Sequence, residues 1–309
     1  MCGIAGIIYR NGAGQEHVGR DMTRMLQAMK HRGPDSTGFA LYRGDSDTYV
    51  MHVKLSESTE RDPDLEQRMQ RQRGEVETRM RAAGARIEEI KEAPRTMTVI
   101  FDFDGDLKVL ADAVERVRHT EVLSLGRSLE IIKDLGDAET VSGGYHLDGF
   151  TGTHAIGHAR MATESDVDIA NAHPYWAYPF PDVAVVHNGQ LTNFHDWRRR
   201  LTRAGHRFQS ECDSEIIAVY LAEQMSQGLT LEEAMHKSLD DLDGVFTYVC
   251  VTEDSLGVAK DELGAKPLVL YEDDDLVALA SEEIAIRQVL DREIETHDPY
   301  EGEVRVWTR

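Results

Sequence analysis

The chain is short of cysteine, short of positive charge and empty of long apolar runs, and each shortage closes off a class of protein. Its three cysteines, at positions 2, 212 and 250 of 309 residues, form no C-x-x-C or zinc spacing. Neither a disulfide framework nor a metal knuckle is indicated, and no metal site is expected. No apolar stretch approaches the roughly 20 residues that a membrane-spanning helix needs, and no basic-then-apolar leader opens the chain. No membrane association is expected, and the expected location is cytoplasmic. Lysine and arginine total 34 against 56 acidic residues, a net charge of -22. Phosphate binding needs an excess of positive charge, so nucleic acid is excluded as a partner. The length fits one large domain or one and a half ordinary ones, ample to bury a core.

What the chain does have is Met1-Cys2-Gly3-Ile4-Ala5-Gly6 at its start. Removal of an initiator methionine before a small residue leaves a thiol and a free α-amino group on one residue. An α-amino group titrates at about 7.7–8.0 and can accept a proton near neutral pH. A thiol becomes a strong nucleophile when a base takes its proton. One residue therefore supplies nucleophile and base, as in hydrolases that use an N-terminal threonine. The apolar run Ile4–Tyr9 reads as a buried strand that holds this terminus in the core.

Periodicity predicts further elements. A helix is expected at 18–30, and paired strands at 36–53 around a Gly44-Asp45 turn. Residues 56–93 are strongly charged and read as an exposed helix or helix pair broken near Gly74 and Gly84. A strand follows at 96–101, a helix at 106–117, a strand at 121–125 and a helix at 128–135. Strands at 155–161 and 183–187 resume the pattern. Helices are expected at 194–204, 214–227 and 231–240, then strands at 245–252, 256–260, 267–271, 276–280 and 303–307. Cys250 lies in an apolar strand pattern and reads as a small core residue.

Several polar residues stand at positions with chemical potential. Arg160 ends a strand and offers a planar fork for a carboxylate. Asn188-Gly189 after an apolar strand is a turn signal, and it also pairs an amide donor with an unobstructed backbone N–H. Asp213 before a helix reads either as an N-cap or as a carboxylate for a ligand cation. Two patterns read as decoys. Asp102-Phe103-Asp104-Gly105-Asp106 resembles a phosphatase nucleophile motif, but a strand, a glycine turn and a helix start explain it. His154 and His158 are four apart on a strand, where such side chains stand about 13 Å apart, too far to share a metal.

The ordered segments Cys2-Gly3-Ile4-Ala5-Gly6, His31-Arg32-Gly33-Pro34-Asp35-Ser36, Gly157-His158-Ala159-Arg160-Met161-Ala162-Thr163, Val186-His187-Asn188-Gly189 and Ser210-Glu211-Cys212-Asp213-Ser214-Glu215 resemble the class II glutamine amidotransferases. Lys260-Asp261-Glu262-Leu263-Gly264-Ala265-Lys266-Pro267-Leu268 and Ala280-Ser281-Glu282-Glu283 match that family's closing strands. The family comprises N-terminal-nucleophile enzymes that hydrolyse glutamine to glutamate and ammonia. The resemblance covers residues 1–50 and about 148–295. It implies an α+β fold of four αββα layers, two sheets face to face with helices outside. An α+β insertion at 54–147 is expected to divide this core into residues 1–53 and 148–309. The resemblance implies Cys2 as nucleophile and Asn188 with Gly189 as the oxyanion hole. It implies Arg160, Thr163 and Asp213 as contacts to L-glutamine, and Arg32–Asp35 as a loop closing over it. Where Met161 stands the family usually has an aromatic residue. No cofactor is called for.

A second resemblance lies in Leu125–Gly136 and Asp148–His154. These segments are similar to stand-alone amidotransferase subunits of glutamate-synthase-like and N-methylglutamate-synthase-like complexes. The implied partner is a flavin-dependent glutamate-synthase-like subunit that consumes the ammonia. With no acceptor domain in the chain, the acceptor is expected on another one. The 54–147 insertion and the Arg198–Arg207 helix are the expected docking surfaces. The alternatives are a glutamine-sensing subunit with little turnover and a free-standing glutamine hydrolase.

Overall fold

The computed structural model describes residues 2–12, 17–161 and 169–309. In chain order its first strands are β1 (Gly3–Tyr9), β2 (Ser36–Tyr42), β3 (Tyr49–Lys54), β4 (Arg86–Glu92), β5 (Thr96–Asp102), β6 (Glu121–Gly126) and β7 (Leu129–Leu135). The remainder are β8 (His154–Arg160), β9 (Tyr175–Trp176), β10 (Ala184–Leu191), β11 (Gly244–Val251), β12 (Ser255–Lys260), β13 (Val269–Glu272), β14 (Leu276–Ala280) and β15 (Val304–Thr308). The α-helices are α1 (Val18–Ala28), α2 (Leu65–Ala82), α3 (Leu107–Glu115), α4 (Ala138–Tyr145), α5 (Phe194–Arg203), α6 (Asp213–Ser226), α7 (Leu231–Asp241) and α8 (Glu283–Ile286).

The strands form a six-stranded sheet (β13-β14-β1-β8-β2-β7), a five-stranded sheet (β15-β12-β11-β10-β9) and a four-stranded sheet (β4-β5-β3-β6). Alternation along β1 shows how the layers stack, because successive side chains leave opposite faces of a strand. Ile4 and Ile8 turn inward and meet Val186, Val249 and Val258 of the five-stranded sheet. Ala5, Ile7 and Tyr9 turn outward against Val18, Met22, Met25 and Leu26 of α1. On the far side, α6 buries Ile216, Ile217, Tyr220 and Leu221 against Val185, Phe246 and Tyr248. The result is the expected αββα sandwich, a mixed α/β fold. No described helix is long and apolar enough to cross a membrane.

The third sheet carries its own helices. Met69, Val76 and Met80 of α2 and Leu110 and Val114 of α3 pack on Met51, Val53, Val99 and Phe101. Three expectations change here. Residues 56–93 are not an exposed helix pair: α2 runs unbroken through Gly74, and 86–92 form strand β4, paired with β5. Ile87 and Ile90 are three apart, which mimics a helical face; Gly84, at φ +100°, stops α2 before them. Residues 128–135 are not a helix but strand β7, paired residue for residue with β2. Both faces of β7 are buried, so its sequence lacks the two-residue alternation that marks a half-exposed strand. The strands within 36–53 do not pair with each other. β2 pairs with β7 and β8, whereas β3 pairs with β5 and β6. The sheets divide the chain between β2 and β3, ahead of residue 54, and again between β6 and β7, ahead of residue 147.

The arginine cluster at 198–207 is also largely engaged. Arg198 pairs with Glu211, Arg199 with Asp196, and Arg207 with Glu115 and Asp112 of α3. Arg207 thus joins the core to the third sheet's helix layer. Asp106 accepts hydrogen bonds from the N–H groups of Lys108 and Val109 and caps α3, which accounts for the phosphatase-like motif.

Four histidines are buried in a neutral form, His173 among them, its ring held well below the ordinary imidazole value chiefly by burial. Burial pushes His52 and His154 down to about 4, and His158 down to about 3. In the unfolded chain each ring takes up a proton near pH 6.5. Below that pH the unfolded state binds more protons than the fold, so stability falls as pH falls. Urea unfolding at pH 5 is expected to show a loss of about 1–2 kcal/mol per histidine relative to pH 7. Equal stability at the two pH values would contradict neutral burial.

Candidate active site

The site forms where four elements end at one edge of the sandwich. Cys2 immediately precedes β1, which pairs with β14 on one side and β8 on the other. The Ile4 N–H also donates to Ser281 Oγ at 2.9 Å. The residue before such a doubly paired strand has little freedom. Its carbonyl oxygen accepts from Arg32 Nε at 3.1 Å and from Asn188 Nδ2 at 3.2 Å. Its Sγ lies 3.8 Å from the Met161 carbonyl oxygen.

Arg32 was expected in a loop closing over the pocket. Instead it is buried and ion-paired with Glu282 at 2.5 Å, holding the main chain of Cys2. The following residues are packed as well. A Cβ on Gly33 would stand 2.5 Å from the Ala159 carbonyl oxygen, and the Asp35 N–H donates to the Arg160 carbonyl at 3.1 Å. Arg32 and Glu282 are 250 residues apart in sequence. Their pairing left no local signal beyond the presence of each in a matching motif.

Asn188 and Gly189 do not form a turn. They lie inside β10, opposite Thr247 and Phe246 of β11 in continuous register. Gly189 has φ +137°, and a Cβ there would stand 2.0 Å from the Val245 carbonyl oxygen. Only glycine fits that position without movement of the ladder. Glycine is therefore required by the strand's own geometry, a constraint that the Asn-Gly turn signal disguises.

Arg160 is the last residue of β8 and is buried. Asp213 opens α6 but does not cap it; the N-cap is Cys212, which makes no side-chain cap bond. Asp213 Oδ2 instead accepts the Leu191 N–H at 2.8 Å, tying α6 to the end of β10. Its Oδ1 lies 3.6 Å from His187 Nδ1. Burial opposes ionisation of this carboxyl, and the His187 ring and the Leu191 N–H outweigh it, so its pKa lies below the ordinary carboxylate value. Asp213 is thus a carboxylate at neutral pH, at the positive end of a helix.

Cys2, Arg160, Asn188, Gly189 and Asp213 all line one cavity of about 640 Å³. Thr163 lies outside the described residues. Sequence reading missed Phe194, His195 and Cys212 as further cavity walls, and His173 and Ser214 beneath them. The cavity is lined by a thiol, the Asn188 amide, the Gly189 backbone, a cation and an anion. That set can bind an amino acid by its two charged ends and present a side-chain carbonyl to a nucleophile. His154 and His158 have separate surroundings: His154 stacks on Tyr42 at 4.2 Å, and His158 on His173 at 4.1 Å.

The chain is similar to known glutamine amidotransferases. The glutamine amidotransferase domain family matches residues 158–288. A glutamine amidotransferase homologue of Methanothermobacter thermautotrophicus is 39% identical, over 99% of both chains. The glutamine amidotransferase-like protein GlxB of Rhizobium meliloti is 34% identical, over 95% of this chain and 93% of its own. The fold resembles glutamine phosphoribosylpyrophosphate amidotransferase of B. subtilis, with a TM-score of 0.62 at 20% identity; the chain spans 99% of its own length and 47% of that one. Fold and sequence together define an N-terminal-nucleophile type of amidotransferase. The chain belongs to the class II glutamine amidotransferase family, whose members hydrolyse glutamine and transfer the ammonia.

Proposed function

We propose that this protein hydrolyses L-glutamine through Cys2 and delivers the ammonia to a partner subunit. The observation that carries the reading is the convergence of Cys2, Asn188, Gly189, Arg160 and Asp213 on one cavity. Arg160 takes the α-carboxylate of glutamine and Asp213 its α-ammonium, with Thr163 a further contact. The Cys2 α-amino group takes the thiol proton, and the sulfur attacks the carboxamide carbon. Negative charge develops on the carboxamide oxygen, toward the Asn188 Nδ2–H and the Gly189 N–H. The intermediate collapses as the nitrogen takes the proton and leaves as ammonia. A thioester to Cys2 remains. Water, activated by the same amine, attacks the thioester and releases glutamate. No cofactor enters these steps.

The acceptor we propose is a flavin-dependent, glutamate-synthase-like subunit. The support is the likeness of Leu125–Gly136 and Asp148–His154 to stand-alone subunits of such complexes. With 56–93 packed into the third sheet, the docking face is better sought on the exposed sides of α2 and β4 than in the whole segment. A glutaminase assay with and without the co-purifying partner tests the assignment: low activity alone and higher activity in the complex is expected. High activity of the isolated chain would replace the subunit by a free-standing hydrolase. Glutamine binding with negligible turnover in both states would leave a sensor.

Asp213→Asn removes the proposed ammonium partner while keeping an oxygen for the Leu191 N–H. The Michaelis constant for glutamine is expected to rise more than about tenfold, since a charge-assisted hydrogen bond contributes about 1.5–3 kcal/mol. Unchanged glutamine kinetics with a lowered melting temperature would assign Asp213 to the β10–α6 junction alone.

A further inference from the structure

Beneath Asn188 stand three histidine rings from separate parts of the chain: His158 of β8, His173 ahead of β9, and His187 of β10. His158 and His173 stack with centroids 4.1 Å apart and planes inclined by 16°. His187 lies 6.5 Å beyond His173 at 25°. All three side chains are buried. Their hydrogen bonds fix which ring nitrogens carry hydrogen, because some of the partners can play only one role.

His158 Nε2 lies 3.1 Å from Asn188 Oδ1. An amide oxygen accepts only, so His158 Nε2 carries the hydrogen and donates. His158 Nδ1 is buried without a partner, as suits a bare lone pair better than an N–H. His173 Nδ1 lies 3.2 Å from the His187 backbone N–H, which donates only, so Nδ1 is bare. His173 Nε2 then carries its hydrogen toward Ser214 Oγ, 3.2 Å away. The groups acting on His158 keep it uncharged. Burial comes first, and the neighbouring His187 and Arg160 add to it against the opposing pull of the Asn188 and His187 oxygens.

The other end of the Asn188 amide faces Cys2. Nδ2 donates one hydrogen to the Cys2 carbonyl at 3.2 Å, which leaves its second hydrogen uncommitted. If the amide turned over, Oδ1 would face the Cys2 carbonyl oxygen, acceptor against acceptor. The amino group would then meet the hydrogen on His158 Nε2, donor against donor. We propose that His158 is a positioning residue: its Nε2–H holds the Asn188 oxygen, so that Asn188 Nδ2 presents its second hydrogen to the oxyanion formed on Cys2. This rests on the reading of Cys2 as the glutamine nucleophile. It gives the strand histidine of Gly157-His158-Ala159-Arg160 a function separate from that of Arg160.

The test compares His158→Leu, which removes the donor, with His158→Gln, which keeps one. For His158→Leu, kcat for glutamine is expected to fall about 10- to 100-fold, as for a misplaced catalytic group. KM is expected to stay within about twofold. L-glutamate γ-semialdehyde forms a thiohemiacetal with a thiol, and its adduct carries the same oxyanion. Its affinity should fall by the same factor as kcat, and His158→Gln should recover part of both. Alkylation of Cys2 by iodoacetamide should proceed at the unmodified rate, which reports a folded site. Retention of kcat in His158→Leu would overturn the proposal, as would parallel damage to KM, alkylation and melting temperature that His158→Gln does not relieve. If neither variant folds, nitrogen-15 spectra of the unmodified protein decide: a hydrogen on His158 Nε2 is required, and one on Nδ1 overturns the proposal. Absence of glutamine hydrolysis in the unmodified protein is a different result, and it would fail the underlying function instead.

Discussion

Replacing Cys2 by alanine is expected to abolish glutamine hydrolysis, lowering kcat by at least about 10⁴-fold, because nucleophile, base and thioester carrier are lost or disconnected together. The fold should persist. Cys2 is only partly buried, and its main-chain partners, Arg32 Nε and Asn188 Nδ2, bind a carbonyl that alanine retains. Glutamine affinity should therefore survive, since Arg160 and Asp213 are untouched. Cys2→Ser should also be severely impaired, because a hydroxyl is far harder to deprotonate than a thiol. A chain extended by an uncleaved tag ahead of Cys2 should fail as well, with the thiol present but the amine converted to an amide. That contrast separates the base from the nucleophile. Activity in the tagged chain equal to that of the processed chain would remove the α-amino group from the mechanism.

The second large effect is expected at the oxyanion donors. Asn188→Ala should lower kcat about 10²- to 10³-fold, corresponding to roughly 3–4 kcal/mol of transition-state stabilisation. Asn188→Asp keeps the shape but presents charge and no N–H, so it should be at least as damaging. Gly189→Ala acts differently. With φ at +137° and the new Cβ 2.0 Å from the Val245 oxygen, β10 must shift against β11. The Gly189 N–H then moves away from Cys2, so kcat should fall together with the melting temperature. Asn188→Ala should lower the melting temperature only by the loss of its own hydrogen bonds to the Cys2 carbonyl and the buried His158 Nε2–H, with no shift of β10 against β11, so its kcat falls far out of proportion to its stability. Steady-state kinetics paired with thermal melts distinguish the two, and undiminished kcat in Asn188→Ala would place the oxyanion elsewhere.

The parts of this protein that were legible in its sequence are those where one short segment carries a whole constraint. Strand β1 was readable because Ile4, Ile7 and Ile8 follow the cysteine directly, and helix α6 because its apolar run is long. Arg160, Asn188, Gly189 and Asp213 were readable because each sits in a short motif of unusual composition. What escaped was non-local. Strand β7 looked helical because both its faces are covered, one by β3 and β6 and the other by α4, which erases alternation. Strand β4 looked helical because charged residues separate Ile87 from Ile90. The Arg32–Glu282 pair and the His158–Asn188 contact join residues far apart in the chain. Their roles appear only once β1, β8 and β10 are brought to one edge.

The account's central claim is a glutamyl thioester on an N-terminal Cys2. The most direct measurement is intact and peptide mass spectrometry of the native protein, acid-quenched during turnover with glutamine. The predicted result is a first peptide that begins at Cys2, without Met1, and carries one glutamyl group on that residue. The adduct should be absent from Cys212 and Cys250 and absent from Cys2→Ala. A protein that turns over glutamine while retaining Met1, or with the glutamyl group on any other residue, would contradict the account.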